Sequence, residues 1–186
     1  MAIRSVLQIG DPRLRQPSQA VPRSLIGSQK LTELIGDLRD TMAATDGAGL
    51  AAPQIGVPLR LVIFGISRNP RYPEAGPIPE TILINPELMP LGDELECGWE
   101  GCLSVPGLRA EVPRPRRLQY RALTPTGAWI ERKVEGFHAR VVQHECDHLD
   151  GVLFPDRLAP ATAAILIAAA GSAAPEPGAM PNAASS

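Results

Sequence analysis

The sequence predicts an α+β fold in which short, mainly antiparallel β-sheets pack around one central helix, with another helix near the N-terminus. Three observations favour this fold. Apolar residues recur at helical spacing across residues 25–44. Short β-rich segments separated by turn residues occupy the middle of the chain. A second helical segment then begins after Gly136 and carries two histidines four residues apart, His144 and His148.

Size and composition are those of an ordinary globular protein. The 186 residues, 44% hydrophobic and 20% charged, are enough for one domain with a genuine core. The 20 prolines, 17 glycines and only 4% aromatic residues predict a loop-rich fold with an aliphatic core. We therefore expect a single domain over residues 1–170. A disordered tail is expected over residues 171–186, which are almost all Ala, Pro, Gly, Ser and Asn.

Charge and cysteine content argue against several classes of function. A net charge of -2 provides no electrostatic footprint for nucleic acid or an anionic membrane. The sequence contains no apolar run of signal-peptide length near its start and none long enough to span a membrane. Three cysteines, an odd number, do not indicate a disulfide framework. We expect the protein to remain in the reducing cytoplasm.

The first predicted helix covers about residues 25–44 and buries one apolar stripe. Residues 46–56 then break the helix, and we interpret them as a loop. Gly47 and Gly49 allow positive φ and close backbone approach, so this loop can lie against a ligand. The loop is not a phosphate-binding loop, because the G-x-x-x-x-G-K pattern is missing.

Five segments of the middle region predict strands. They are residues 59–66, 81–85, 108–112, 116–123 and 129–134. Pro86 closes the second strand, and residues 124–127 form a hairpin turn between the last two. Residues 67–80 hold four prolines and predict a surface loop. The four arginines between Arg114 and Arg121 favour a solvated sheet face over a nucleic-acid patch.

The second helix carries the pattern H-E-x-x-H over residues 144–148. Four helical steps of about 100° return to nearly the same face, so both imidazoles can bind one metal ion. Glu145 lies beside the first histidine, where a carboxylate can act as general base on water that the metal activates. Gly151 is placed to end the helix. The pattern therefore predicts a metal-dependent hydrolase.

A catalytic metal site needs a third protein ligand. His138 lies six residues before His144 and points away from the metal face, which leaves cysteines or carboxylates of a distant segment. Cys102 is the foremost of these candidates. Cys146 points about 200° away from His144 and is predicted to be structural, and Cys97 is predicted to be a packed thiol. One sulfur and two nitrogens suit Fe(II), Zn(II), Co(II) or Ni(II).

Three segments resemble, in order and spacing, the motifs of peptide deformylases. They are GAGLAAPQ at residues 47–54, EGCLS at residues 100–104 and QHECDH at residues 143–148. The resemblance runs from about residue 6 to residue 158. Peptide deformylases remove the N-formyl group from the initiator methionine of nascent chains and release formate. The resemblance thus implies a metal-dependent amide hydrolase.

The resemblance also implies roles for single residues. The matched metal ligands are Cys102, His144 and His148. Glu145 matches the acid/base of the family, while Gln54 and the backbone N–H of Leu103 match the donors that hold the developing oxyanion. The family binds one divalent metal ion, natively most often Fe(II), with Zn(II), Ni(II) or Co(II) found in its place.

Further matches concern the substrate. Gly49 and Gly101 match residues that pair with the main chain of the peptide, and Arg109 matches an arginine near the peptide exit. The residues matched to the border of the methionine pocket are Ala48, Phe137, Arg140 and His144. Arg140 departs from the aliphatic residue of many bacterial members, although its stem can still pack on methionine. We expect N-formylmethionyl nascent chains at the ribosome as substrates of a monomer, without direct contact with nucleic acid or membrane.

Two other functions are compatible with parts of the sequence. A zinc endopeptidase could use the same helix, but such proteases usually find their third ligand downstream, where Asp150, Asp156 and Glu176 are the only candidates. A domain with a structural metal that binds a partner would need neither Glu145 nor Gln54. Hydrolysis of formyl-Met peptide, compared with unformylated peptide, separates all three.

Overall fold

The structure, a computed structural model, describes residues 2–67 and 76–158. Its two α-helices are α1 (Gln29–Ala44) and α2 (Gly136–Leu149). The strands are β1 (Gly49–Ala51), β2 (Leu61–Ile66), β3 (Ile78–Pro90), β4 (Leu95–Cys102), β5 (Val105–Pro115), β6 (Arg117–Leu123) and β7 (Trp129–Glu135). The predicted α+β class, with antiparallel sheets and an N-terminal helix, is confirmed. The tail predicted over residues 171–186 lies outside the described residues.

The strands form two antiparallel sheets. Five strands pair in the order β1-β2-β3-β6-β7, and β4 pairs with β5 in a separate two-stranded sheet. Helix α2 packs against both sheets, and ten of its 14 residues are buried. The prediction of a central helix is therefore confirmed, but burial extends well beyond the single face that carries the histidines. Neither described helix has the length and apolarity to cross a membrane.

Strand β2 explains how the larger sheet is packed. Val62 and Phe64 belong to a core cluster shared with α2, while Leu61 and Ile63 belong to a second cluster shared with α1. Side chains alternate between the two faces of a strand, so a strand covered by a helix on each face must be apolar at every position. The run Leu61–Ile66 meets this requirement. The sheet is thereby held between α1 and α2.

The segment predicted as a loop over residues 46–56 is more ordered than expected. It contains β1, an edge strand, followed by a 3-10 turn at Ala52–Ile55. Gly47 and Gly49 do not adopt positive φ, which within this segment falls on Asp46 (φ 50) and Gly56 (φ 78) instead. The expected close backbone approach does occur: a Cβ on Gly49 would lie 2.5 Å from Oε1 of Glu145.

Strand β3 is longer than predicted because it continues through Pro86. The register shifts between Ile84 and Glu87, and Asn85 adopts positive φ (53). A proline has no N–H to donate, so within a sheet it is tolerated at such an irregularity. The Asn85 amide holds the bulge by bonding the backbone N–H and C=O of Val21, at 2.8 and 3.0 Å. The loop predicted over residues 67–80 lies partly outside the described residues, and its end forms the start of β3.

The sequence patterns predicted no strand at residues 95–102, which form β4. Two side-chain predictions for this region are also wrong. Cys97 is exposed, not packed. Arg114 is buried, because its guanidinium pairs with Glu100 and Asp147; Arg116 and Arg121 lie exposed as predicted.

Candidate active site

Helix α2 and the end of β4 bring three ligand atoms together. The ligand atoms of Cys102, His144 and His148 all lie within 4.8 Å of one another. The Cys102 Sγ is 3.3 Å from Nε2 of His148, and the two imidazole rings are 5.2 Å apart. Among residues 2–67 and 76–158, this is the one such group with metal-ligand spacing. One sulfur and two imidazole nitrogens at this spacing fit a single divalent transition-metal ion.

Glu100 fixes the orientation of His144. The imidazole Nδ1 is 2.8 Å from Oε2 of Glu100, so Nδ1–H donates to the carboxylate and Nε2 keeps its lone pair for a metal. The ring also stacks on Phe154, with centroids 6.3 Å apart. Burial alone would raise the pKa of Glu100, but hydrogen bonds from Arg114 and His144 hold this pKa below its ordinary value. The carboxylate therefore stays ionised behind its histidine.

A buried ion-pair network supports Glu100 from behind. The Arg114 guanidinium donates to Glu100 (2.6 Å from Nε, 2.9 Å from Nη2) and to Asp147 (2.7 Å from Nη1). Asp147 also accepts from Nε of Arg157 at 3.1 Å. Buried charges are tolerated when each is paired in this way. The network ties β4 and β5 to the helix that carries the histidines.

Backbone and side-chain donors surround the Cys102 sulfur. The N–H of Ser104 lies 3.4 Å from Sγ and the amide nitrogen of Gln54 lies 3.6 Å from it. The thiolate is the form of a cysteine that binds metals, and these donors contact the sulfur directly. The other buried thiol, Cys146, sits in the apolar core, where burial raises its pKa. Only Cys102 combines a position near the histidines with donors toward its sulfur.

Glu145 lies beside the three ligand atoms. Its side chain is 5% exposed, and burial raises the pKa of the carboxyl to about 7. A pKa near the operating pH suits a group that both takes and returns a proton. Gly49 on β1 packs directly against this carboxylate, so the absence of a side chain at position 49 makes room for it. The Oε2 atom is buried without a hydrogen-bond partner among the described residues.

Gln54 is held in one orientation by three contacts. Its Oε1 accepts from the Ala51 N–H at 2.8 Å, and its amide nitrogen donates to Ser104 Oγ at 3.1 Å as well as contacting the Cys102 sulfur. The residue is only 2% exposed. A fixed amide donor beside the ligand atoms is suited to stabilising negative charge on a nearby oxygen.

A cavity of about 500 Å³, counting the part open to solvent, adjoins these groups. It is lined by Gly47, Ala48, Gly49, Gln54, Trp99, Glu100, Gly101, Cys102, Leu103, Phe137, Arg140, Val141, His144 and Glu145. Of the predicted site residues, all but Arg109 and His148 line it. His148 lies behind the cavity at 1% exposure, and Arg109 is exposed on β5, directly opposite Gly101.

Sequence reasoning missed several functional residues. No role was predicted for Glu100, although it stands inside the EGCLS segment. Trp99 precedes it, lines the cavity and is 52% exposed. The sequence did offer a clue to both residues, because an acid and a tryptophan precede the candidate ligand Cys102 by two and three positions. The burial of Arg114 could not be predicted from the sequence. In a strand whose residues alternate between polar and apolar, a buried arginine and a solvent-exposed one give the same pattern.

The cavity opens between two strand edges. Strand β1 pairs on one side only, with β2, and β4 pairs only with β5. Residues of both strands, Gly49 and Gly101 among them, line the cavity. An extended peptide can add to an exposed strand edge through main-chain hydrogen bonds. The arrangement therefore joins a peptide-sized groove to a metal-ligand set and a buried carboxylate.

Comparison with known proteins agrees with this chemistry. The sequence profile of the family described as Polypeptide deformylase matches residues 3–164. The chain is 60% identical over 159 residues to "Peptide deformylase 1" of Prochlorococcus marinus, covering 85% of this chain and 82% of that protein. It is 58% identical over 156 residues to "Peptide deformylase 1" of Bordetella pertussis, covering 84% and 88%.

Solved structures give the same result. The fold is similar to a class I type b peptide deformylase from Acinetobacter baumannii bound to Met-Ala-Ser, with a TM-score of 0.82 and 36% identity, covering 84% of this chain and 99% of that one. It is also similar to a Synechococcus elongatus peptide deformylase in complex with actinonin, with a TM-score of 0.78 and 34% identity, covering 90% and 86%. The chain therefore belongs to the polypeptide deformylase family.

Proposed function

We propose that this cavity is where the chain removes the N-formyl group from the N-terminal methionine of newly synthesised polypeptides and releases formate. One observation carries the proposal. A buried carboxylate, Glu145, adjoins a sulfur and two imidazoles spaced for one metal ion, at the end of a groove between two strand edges. This combination is suited to hydrolysing an amide at the terminus of an extended peptide.

Cys102, His144 and His148 would hold the metal ion, natively Fe(II), with Zn(II), Ni(II) or Co(II) able to replace it. When bound, such an ion lowers the pKa of water and polarises a carbonyl group. The buried Glu100 keeps the His144 ring in place for this purpose. Because Glu100 already holds the His144 ring in one orientation, metal binding requires little reorganisation of this ligand.

Glu145 serves as the acid/base. It takes the proton of the attacking water and then passes it to the amine that leaves as the formyl C–N bond breaks. Its burial beside Gly49 keeps the carboxylate close to the reacting atoms and away from bulk water. The raised pKa supports both halves of this proton transfer.

Negative charge develops on the formyl oxygen during attack, and two donors are placed to stabilise it. One is the side-chain amide of Gln54, and the other is the backbone N–H of Leu103. A donor of this kind typically lowers the barrier by about 2.7–4 kcal/mol. Gln54 is held by Ala51 and Ser104, so no reorientation is needed during the reaction.

The peptide would lie in the groove with its main chain paired to Gly49 and Gly101. Its methionine side chain would enter the cavity, bordered by Ala48, Phe137 and the stem of Arg140, while Arg109 stands near the peptide exit. The similar deformylase from Acinetobacter baumannii binds Met-Ala-Ser, which supports a peptide that begins with methionine as the kind of ligand this groove takes.

The rival functions explain less of the site. An endopeptidase would not require the third ligand to come from β4, upstream of the helix. A purely structural metal site would not require a buried carboxylate beside the ligands. We further propose that the enzyme acts as a monomer in the cytoplasm, on nascent chains emerging from the ribosome and without binding nucleic acid. Residues 1–170 would form its one domain.

Formate release from formyl-Met-Ala-Ser tests the proposal. We expect turnover by the metal-loaded wild type, with no cleavage of unformylated Met-Ala-Ser. Glu145→Gln should keep its metal content while losing turnover by a factor of about 10²–10⁴, since it keeps the shape and loses the base. Glu111→Gln, a change at an exposed glutamate of β5, is the matched control and should be fully active. Wild-type turnover in Glu145→Gln would overturn the mechanism.

A further inference from the structure

Arg140 does not point its charge into the cavity that it lines. Its side chain is 5% exposed, and the guanidinium is directed from α2 toward β4 and β5. Nη1 donates to the carbonyl of Val112 at 2.7 Å and to Oε1 of Glu100 at 2.8 Å. Nη2 donates to the carbonyl of Glu96 at 2.6 Å. One side chain thus bonds both strands of the small sheet and the carboxylate behind His144.

The backbone of β4 is shaped to receive this guanidinium. A Cβ at Gly98 would lie 2.9 Å from both Cζ and Nε of Arg140, so the planar group lies directly against the glycine. The carbonyl of Gly98 also accepts from Nη1 at 3.3 Å. Gly98 does not adopt positive φ, so its backbone conformation does not require glycine. Glycine is needed at position 98 because the Arg140 guanidinium occupies the space that a side chain would take.

Three residues of β4 bond Arg140: Glu96, Gly98 and Glu100. Trp99, which lies between them, and Gly101, which follows them, line the cavity, and Glu100 lines it as well. An arginine fork fixes a planar arrangement of acceptors more rigidly than an ammonium does, because its donors are set in one plane. Because Arg140 fixes the positions of Gly98 and Glu100, it also fixes the position of Trp99, which lies between them and lines the cavity.

We propose that Arg140 is a positioning residue that clamps β4 onto α2 and thereby sets the width of the methionine pocket. The inference rests on the proposed deformylase function of the cavity. Arg140 does not contact the reacting atoms. It fixes the β4 wall of the pocket, and through Glu100 it steadies the His144 ring. Gly98 is the second half of the clamp, because any side chain there displaces the guanidinium from its carbonyl partners.

Side-chain selectivity separates this role from a general structural one. The kcat and KM values would be measured for formyl-Met-Ala-Ser and formyl-Ala-Ala-Ser, and the ratio of the two kcat/KM values gives the selectivity for methionine. A pocket of fixed width distinguishes side chains that differ by methylene groups by factors of about 10 or more. We expect Arg140→Leu and Gly98→Ala each to lower this ratio by about tenfold, with most of the change in KM for the methionyl peptide. Arg140→Lys should not restore the ratio, because one ammonium cannot bond the same acceptors.

Arg116→Leu is the matched control. Arg116 is an exposed arginine whose guanidinium pairs with the carboxylates of Glu94 and Glu96, and none of the three residues lines the cavity. This variant should keep the wild-type ratio. A ratio unchanged in Gly98→Ala, or an equal loss of activity toward both peptides, would overturn the proposal. If Arg140→Leu does not fold, Gly98→Ala and Arg140→Lys decide the question, since both keep a cation at position 140.

A double-mutant cycle tests the clamp without any substrate. Leucine at position 140 lacks the Cζ and Nε atoms that lie against Gly98. Gly98→Ala should therefore lower the unfolding midpoint in the wild-type background and have little further effect in the Arg140→Leu background. Additive effects would show that the two residues do not act together. If the wild type releases no formate from any formyl peptide, the proposed function fails, and this cycle still decides whether the clamp exists.

Discussion

Cys102 differs from the two other cysteines in what surrounds its sulfur. It lies within reach of both histidines and of the Ser104 N–H, whereas Cys97 is exposed and Cys146 is buried in the apolar core. The three thiols are therefore a candidate metal ligand, a surface group and a packing group. Residue type alone does not separate them; the environment does.

This difference predicts distinct outcomes for three alanine substitutions. Cys102→Ala should abolish metal binding, because two imidazoles alone hold a divalent ion weakly. Cys97→Ala should leave metal content and stability unchanged. Cys146→Ala should keep the metal while lowering stability by about 1 kcal/mol, as is usual for a small change in a core. Elemental analysis and thermal unfolding on the same preparations provide the check. Full metal occupancy in Cys102→Ala would contradict the ligand assignment.

Glu100 shows how one residue behind the ligands can control metal affinity. Glu100→Gln removes the ionised acceptor of the His144 Nδ1–H and leaves Arg114 without one of its two partners. We expect metal affinity to fall by a factor of about 10–100, as for other residues that orient ligands. Stability should fall by about 3–5 kcal/mol, because a buried charge loses its counter-charge. Competition with a metal chelator and denaturant unfolding measure the two effects.

Glu94→Gln serves as the control for that experiment. Glu94 forms an exposed pair with Arg116, and such pairs contribute little to stability. Metal affinity in this variant should equal that of the wild type. An equal change in both variants would mean that the effect of Glu100→Gln reflects lost charge and not lost orientation of His144.

At the scale of elements, the approach of β1 to α2 determines where the carboxylate of Glu145, the proposed base, can lie. Gly49 lies so close that a Cβ there would be 2.5 Å from Oε1 and 2.6 Å from Cδ of Glu145. No real Cβ occupies such a position, so either the strand or the carboxylate must move. The glycine of the GAGLAAPQ segment thus has a packing role in addition to the proposed pairing with substrate.

Gly49→Ala should therefore impair catalysis while leaving the metal bound. We expect turnover of formyl-Met-Ala-Ser to fall by at least about tenfold, because a shift of about 1 Å in a catalytic group can cost up to 10²-fold. Gly76→Ala is the control, since a Cβ there meets no atom within 4 Å. Wild-type turnover in Gly49→Ala would show that Glu145 tolerates displacement. Loss of metal would instead indicate that the whole helix had moved.

At the scale of the whole molecule, the described residues already contain every predicted site residue and three apolar clusters. The predicted tail contributes no residue to the proposed mechanism. Residues 171–186 contain few large apolar side chains and one charge, so they offer little with which to dock. The boundary between domain and tail remains a prediction from composition.

Truncation after residue 170 tests that boundary. The shortened chain should keep the wild-type kcat/KM and melting temperature, because the removed segment has few large apolar side chains with which to pack. Steady-state assays and thermal unfolding of the full-length and truncated proteins make the comparison. A decrease in melting temperature of several degrees would show that the tail packs on the domain.

The sequence by itself determined the class of the fold, the course of both helices and the placement of the histidine pair. These are local properties: an i,i+4 spacing fixes two side chains on one helical face whatever surrounds the helix. It also brought Cys102 and Gln54 forward as candidates through the EGCLS and GAGLAAPQ segments. It did not predict β1 or β4, because both contain glycines and lie at sheet edges, where local propensity is weak.

Only the tertiary structure decided which charges are buried and where Arg140 points. The contact between His144 and Glu100 joins residues 44 positions apart, and that between Arg114 and Asp147 joins residues 33 apart. Pairing across such distances leaves no periodicity in the sequence, so a buried arginine and a solvated one have the same local pattern. Arg114 and Arg140 can be buried because the acceptors around each guanidinium group replace the hydrogen bonds to water that it loses.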